Sequence, residues 1–161
     1  MPAEIAGFDA VVTTTADLMA AYVDLTRLAA LSAPLRPPPA GIRRLPPLGQ
    51  RIAIAEDKAF AFSYQHLLLG WQKAGASLSF FSPLADAAPA GDADAVYLPG
   101  GYPELHAATL ANADRFRQGM LEAARRGARI YGECGGYMTL GEALIASDGT
   151  RHAMLGLLPL V

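Results

Sequence analysis

The one cysteine of the 161-residue chain stands in Gly132-Glu133-Cys134-Gly135-Gly136, a Gly-x-Cys-x-Gly spacing. That spacing fits a nucleophile elbow: a strand ends, the chain turns too sharply for side chains on the flanks, and a helix begins with the apex residue held toward a substrate. A second glycine pair, in Pro99-Gly100-Gly101-Tyr102, follows another apolar run. Together the two suit acyl transfer, in which a thiolate attacks a carbonyl and fixed N–H groups receive the oxyanion. The expected donors are the backbone amides of Gly135, beside the thiol, and of Gly101 or Tyr102 in the facing loop. Gly100, Gly101, Tyr102 and Gly135 are therefore the candidate oxyanion and substrate-binding residues around Cys134. A helix beginning at the elbow would favour the anionic form of a thiol at its N-terminus. Burial and inertness are the commoner fate of a lone cysteine, and either glycine pair alone reads as an ordinary turn. It is their pairing that points to a site.

The elements that must position these groups emerge from hydrophobic spacing. Residues 51–55, 77–81, 95–98 and 129–131 are short apolar runs of the kind that form strands of a parallel sheet. Between them, Tyr64, Leu67, Leu68 and Trp71 recur at three and four over residues 63–75, and Gly75 suits a helix C-cap. A helical stretch over 105–126, broken near Asn112 or Asp114, presents Phe116, Met120, Leu121 and Ala124 as its buried face. A further helix is expected over 137–146, with Leu140, Leu144 and Ile145 inward. Strands alternating with helices imply an α/β fold, a flavodoxin-like open parallel sheet with helices on both faces. Ligands of such sheets bind beyond the carboxyl ends of the strands, which is where Cys134 and the Gly100-Gly101 loop would sit. The apolar run 153–161 reads as entry to another strand, so the final strands of the sheet are expected to lie outside these residues.

Before the sheet, Leu18, Tyr22, Leu25, Leu28 and Ala29 give one amphipathic helix beginning near Thr13. Pro34, Pro37, Pro38, Pro39, Pro46 and Pro47 then mark an extended linker. The organisation expected is a tail helix over 1–33, a proline-rich linker over 34–50 and a partial domain over 51–161.

Composition narrows the function. A formal charge of -2 with mixed signs offers no basic face for nucleic acid and no polybasic anchor for a membrane. With one cysteine there is no internal disulfide, and His66, His106 and His152 do not form a ligand pattern with it, so no metal site is expected. Charged residues at Asp17, Asp24 and Arg27 interrupt the most apolar N-terminal part, which argues against a signal peptide or membrane helix and for the cytoplasm.

Val96-Tyr97-Leu98-Pro99-Gly100-Gly101-Tyr102-Pro103-Glu104-Leu105 and Tyr131-Gly132-Glu133-Cys134-Gly135-Gly136-Tyr137-Met138 resemble the two glutaminase signatures of the cobyrinic or hydrogenobyrinic acid a,c-diamide synthases. Asp57-Lys58-Ala59-Phe60-Ala61-Phe62 and Phe80-Phe81-Ser82-Pro83-Leu84-Ala85-Asp86 resemble the family's opening segments. The likeness covers about residues 51–158, with the four motifs in order. It implies a class I-like glutamine amidotransferase domain preceded, in the whole enzyme, by an ATP-binding domain resembling dethiobiotin synthetase, to whose tail residues 1–33 would belong. It further implies that Cys134 hydrolyses glutamine and that the ammonia amidates the a and c carboxylates of a corrin precursor, with ATP and Mg held by the preceding domain. The whole enzyme would be an ATP-dependent carbon–nitrogen ligase of cobalamin biosynthesis, and a homodimer is compatible with it. The family's histidine base lies downstream of the elbow in a segment without a counterpart here; His152, His106 and His66 are poor substitutes, and this stretch alone is expected to be inactive. Three other readings stay open: the glutaminase of a cobyric acid synthase, a flavodoxin-like protein whose elbow cysteine is oxidised in a redox or regulatory role, and a non-catalytic partner-binding domain.

Overall fold

The computed structural model describes residues 7–36 and 45–161. The chain divides into two compact units, Met1–Ile42 and Arg43–Val161. In the first, the single helix expected from spacing is two, α1 (Phe8–Tyr22) and α2 (Leu25–Ala30). The break has a local cause. Val23 is extended, and the Asp24 carboxylate caps the second helix by accepting from the Arg27 amide at 2.9 Å. The first helix starts at Phe8 after Gly7, ahead of the start expected near Thr13; Thr13 is inside and its hydroxyl donates back to the Asp9 carbonyl at 2.9 Å. The core of the expected linker, residues 37–44, lies outside the described residues.

The second unit is built on a four-stranded parallel sheet of β1 (Arg51–Ala55), β2 (Ser77–Phe81), β3 (Ala95–Leu98) and β4 (Arg129–Gly132), in the order β2-β1-β3-β4. Burial tracks that order. The central strands β1 and β3 are buried almost throughout and read as unbroken apolar runs, whereas the edge strands β2 and β4 mix exposed and more buried positions. On one face Ile52, Ile54, Ala95 and Tyr97 pack against Leu68 and Trp71 of α3 (Gln65–Lys73). Ala53, Ala55, Val96 and Leu98 face the other way, onto Leu110 of α4 (Ala107–Ala111) and Phe116, Met120 and Ala123 of α5 (Asp114–Arg125). Helices thus cover both faces, and Asn112 and Ala113 supply the expected break between α4 and α5. The buried face of α5 is rotated slightly from expectation, since Ala123 is buried while Leu121 and Ala124 are only half-buried.

The segment after the elbow departs from the helix expected over 137–146. Its helix α6 (Gly135–Thr139) has five residues, and the chain then forms an antiparallel hairpin of β5 (Ala143–Ile145) and β6 (Arg151–Ala153). Leu140 and Leu144 share helical spacing, but both reach the core from a chain that has already turned. Gly141 lies where a Cβ would come 2.7 Å from the Leu160 carbonyl, and the amide of Glu142 donates to that carbonyl at 2.8 Å. The hairpin turn is an Asp-Gly pair: Asp148 accepts from the Thr150 amide at 2.8 Å, and Gly149 takes a φ of 82°. Residues 154–161 form no strand here; Leu157 and Leu158 both donate to the Leu140 carbonyl at 2.9 Å, folding the run back on the end of α6.

The loops at the carboxyl edge are tied by one carboxylate. Asp57, just after β1, accepts from the Ala59 amide, the Ser82 hydroxyl and the Leu84 amide, each at 2.9 Å, joining the loop after β1 to that after β2. Asp57→Ala would strand two backbone donors and one hydroxyl in a half-buried place, at a cost of about 1–3 kcal/mol. Urea unfolding should show a lower midpoint with an unchanged slope; an unmoved midpoint would show that Asp57 does not hold these loops.

Candidate functional site at the carboxyl edge of the sheet

Strand order reverses between β1 and β3, because β2 lies to one side of β1 while β3 and β4 lie to the other. The crevice at such a switch point is the ordinary ligand site of an open α/β sheet. Here the loops after β1 and β3 meet across it: Phe62 donates its amide to the Gly100 carbonyl at 2.9 Å, forming an isolated antiparallel bridge.

Cys134 is exposed and sits at the apex between β4 and α6. Its φ of 49° and ψ of -118° fall outside the basins open to L-residues. Such a conformation costs about 1–3 kcal/mol and persists only where its surroundings fix it. Gly136 donates to the Glu133 carbonyl at 2.8 Å, closing the turn, and Met138 donates to the Cys134 carbonyl at 3.1 Å, starting the helix. The turn can close because Gly136 lies against the end of β3, where a Cβ would be 2.0 Å from the Leu98 carbonyl oxygen.

The predicted partners converge on this apex. A Cβ at Gly100 would stand 3.3 Å from the Cys134 Cβ and 3.5 Å from the Phe62 Cβ, so Gly100 opens the floor beside the thiol. Gly101 presses on the loop after β1, where a Cβ would be 2.0 Å from the Ala59 carbonyl oxygen. A Cβ at Gly135, the first residue of α6, would lie 3.1 Å from the Gly101 nitrogen and 2.8 Å from its oxygen. The two glycines therefore meet backbone to backbone. Among the described residues no acceptor takes the amides of Gly101, Tyr102 or Gly135. Tyr102 is exposed and set edge-on to Phe62, with ring centroids 5.1 Å apart. Exposed Tyr137 and Met138 come next on α6.

The arrangement holds a thiol, free amides beside it and an aromatic rim, which is the equipment for attack on a carbonyl. The described histidines do not join it. His66 is exposed on α3 near Tyr64, His106 ends a 3-10 turn over Pro103–His106, and His152 pairs with Leu144 in the hairpin. None is hydrogen-bonded to Cys134. The described residues contain no group of three acidic, histidine or cysteine side chains able to hold a metal ion, and none of their helices is long and apolar enough to cross a membrane.

Two residues join the site that motif spacing alone does not single out. Phe62 forms a wall of it, and its one signal is the Phe-Ala-Phe alternation, in which Phe60 is buried and Phe62 is turned outward. Glu133 accepts a hydrogen bond from the Tyr97 hydroxyl at 3.0 Å, and neither residue type announces that link. A cavity of about 510 Å³ on the α3 face, walled in part by Tyr64, Trp71, Tyr131 and Glu133, does not include Cys134 in its lining.

A family described as CobB/CobQ-like glutamine amidotransferase domain matches residues 51–161. A hydrogenobyrinate a,c-diamide synthase from Sinorhizobium sp. is 66% identical over 139 residues, covering 86% of this chain and 32% of the relative. Proteins of that name from Brucella suis and Rhodobacter capsulatus are 55% and 50% identical over 161 and 158 residues, in each case 98% of this chain and 36% of the relative. The chain thus spans about a third of the length of these relatives. It is a member of the CobB/CobQ-like glutamine amidotransferase family, the matched residues 51–161 including the Cys134 elbow.

Proposed function

We propose that this chain supplies the glutaminase part of an ATP-dependent corrin a,c-diamide synthase acting in the cytoplasm. The observation that carries the reading is the convergence of the exposed Cys134 thiol with the unengaged amides of Gly135 and the Gly101-Tyr102 loop. The thiolate attacks the side-chain amide carbon of glutamine, forming a C–S bond and a tetrahedral oxyanion received by those amides. Collapse breaks the C–N bond, and the nitrogen takes a proton to leave as ammonia. Water then cleaves the glutamyl thioester to glutamate and regenerates the thiol. Gly100 leaves room for the substrate beside the sulfur, and Phe62 and Tyr102 wall its path.

The ammonia passes to a synthetase domain preceding this one, with residues 1–33 as the tail of that domain and 34–50 as the connection. The names of the relatives favour hydrogenobyrinic acid, the cobalt-free corrin, as the acceptor of two amide groups, over cobyrinic acid and over the cobyric acid synthase reaction. Gly101, Gly135 and Gly136 are packed against backbone carbonyls, so these glycines do not offer an open cradle to a phosphate. ATP belongs to the preceding domain, where it would supply activation of the carboxylates. The histidine that exchanges protons with Cys134 likewise comes from outside these residues.

A glutamine-shaped diazo-ketone should alkylate the full-length protein at Cys134 with loss of glutaminase activity, and Cys134→Ala should abolish both. Peptide mapping locates the adduct; labelling and activity that survive the substitution would sink the reading. Gly101→Ala tests the oxyanion donors, because its methyl group has no space beside the Ala59 carbonyl and must shift the loop. Loss of one such donor typically lowers kcat by about 10²–10³, so steady-state kinetics on folded Gly101→Ala should show a fall of that order. An unaffected kcat would move the donor elsewhere.

A further inference from the structure

We infer that Tyr97 and Glu133 form a positioning clamp for the nucleophile elbow, in which the Tyr97 hydroxyl holds the Glu133 side chain against β3 and so fixes the backbone that carries Cys134. This rests on the glutaminase reading above, and adds two residues to it that neither touch glutamine nor carry the chemistry.

The need for a clamp comes from the backbone. Cys134 occupies a conformation that L-residues avoid, and two of the bonds closing the turn around it, from Gly136 to Glu133 and from Met138 to Cys134, lie within the turn itself. Those bonds shape the turn without setting where it points. Orientation relative to the facing Gly100-Gly101 loop must come from contacts to β3, which ends in that loop. Glu133 makes two. Its amide donates to the Leu98 carbonyl at 3.2 Å, the last rung between β4 and β3, and its carboxylate accepts from the Tyr97 hydroxyl at 3.0 Å. The residue immediately before the nucleophile is thus held to β3 by both main chain and side chain.

Tyr97 is suited to be the fixed end. It is fully buried at the centre of the sheet. Trp71 packs edge-on to its ring with centroids 5.7 Å apart, and Tyr131 stacks on it at 5.7 Å and 27°. A ring held between these two cannot swing its hydroxyl away. Burial, then the hydrogen bond and negative charge of Glu133, raises the phenol's ionisation far above its usual range, so it remains a donor. Tyr131 and Glu133 are two apart on β4 and its continuation, and both project to the α3 face, away from the packed side of α6. The clamp therefore acts from behind the elbow and leaves the substrate side clear.

Geometry errors of about 1 Å at a reacting group can cost about 10²-fold in rate. Tyr97→Phe keeps the ring and removes only the hydroxyl. In the full-length protein it should lower kcat for glutamine hydrolysis by about 10- to 100-fold while KM for glutamine stays within about twofold, since the binding walls are untouched. Glu133→Leu should match it, and the double substitution should be no worse than either alone, because one link is removed in all three. Glu133→Gln keeps an acceptor for the hydroxyl and should recover most of kcat. A kcat for Tyr97→Phe within about twofold of the parent would overturn the clamp, as would additive losses in the double variant or a Gln variant as poor as Leu. If Cys134→Ala itself retains glutaminase activity, the underlying reading fails instead, whatever the clamp variants do.

Discussion

Everything at the working edge of this domain depends on main chain lying directly on main chain. Gly136 leaves no room for a methyl group against the Leu98 carbonyl, and Gly101 leaves none against the Ala59 carbonyl. The first approach lets the turn after β4 close tightly enough to lift Cys134. The second brings the loop after β3 down onto the loop after β1, and so places the Gly101 amide near Gly135. Any side chain at these contacts would push the loops apart, and the free amides would no longer share one small volume with the sulfur.

The sheet beneath provides the rigidity that such close contact requires. Its two central strands are dry on both faces, packed by α3 on one side and by α4 and α5 on the other. Those strands deliver the loops of the switch point, so the most mobile kind of structure is mounted on the least mobile. Asp57 ties the loop after the central strand β1 to that after the edge strand β2, with a carboxylate that accepts from two segments at once. Ser82, its hydroxyl partner, also caps the short turn over Pro83–Ala85.

Much of this was legible in the sequence because its signals are local. The runs Arg51–Ala55, Ser77–Phe81 and Ala95–Leu98 are strands at the limits that apolar patterning suggests, and the interrupted helix before β4 breaks at Asn112 and Ala113 as expected. The glycine spacing around Cys134 is local too, and it marks a tight turn without help from any distant residue. The hidden features depend on contacts between residues far apart in the chain. Leu140 and Leu144 have helical spacing, yet the helix stops at Thr139, because Gly141 is pressed on Leu160 and an Asp-Gly turn folds the next residues into a hairpin. Spacing cannot register a chain that returns from about twenty residues away. Glu133 and Tyr97 are hidden for the same reason: each is an ordinary residue in its own strand, and their link exists only once β3 and β4 are in register. Asp24, in contrast, has the type and place of a cap, and the long run of helical spacing around it masks the break.

The site draws on loops after β1, β3 and β4, with Phe62, Gly101 and Cys134 far apart in sequence. No contiguous stretch of the chain holds all of it. Parallel strands of this kind pair late, because each closure must span a crossover before any contact repays it. The free amides of Gly101 and Gly135 thus gather beside Cys134 only when the sheet is complete. The sulfur and the free amides are therefore brought together by the sheet as a whole, and a change that loosens its two central strands would scatter them together, however far it lies from Cys134.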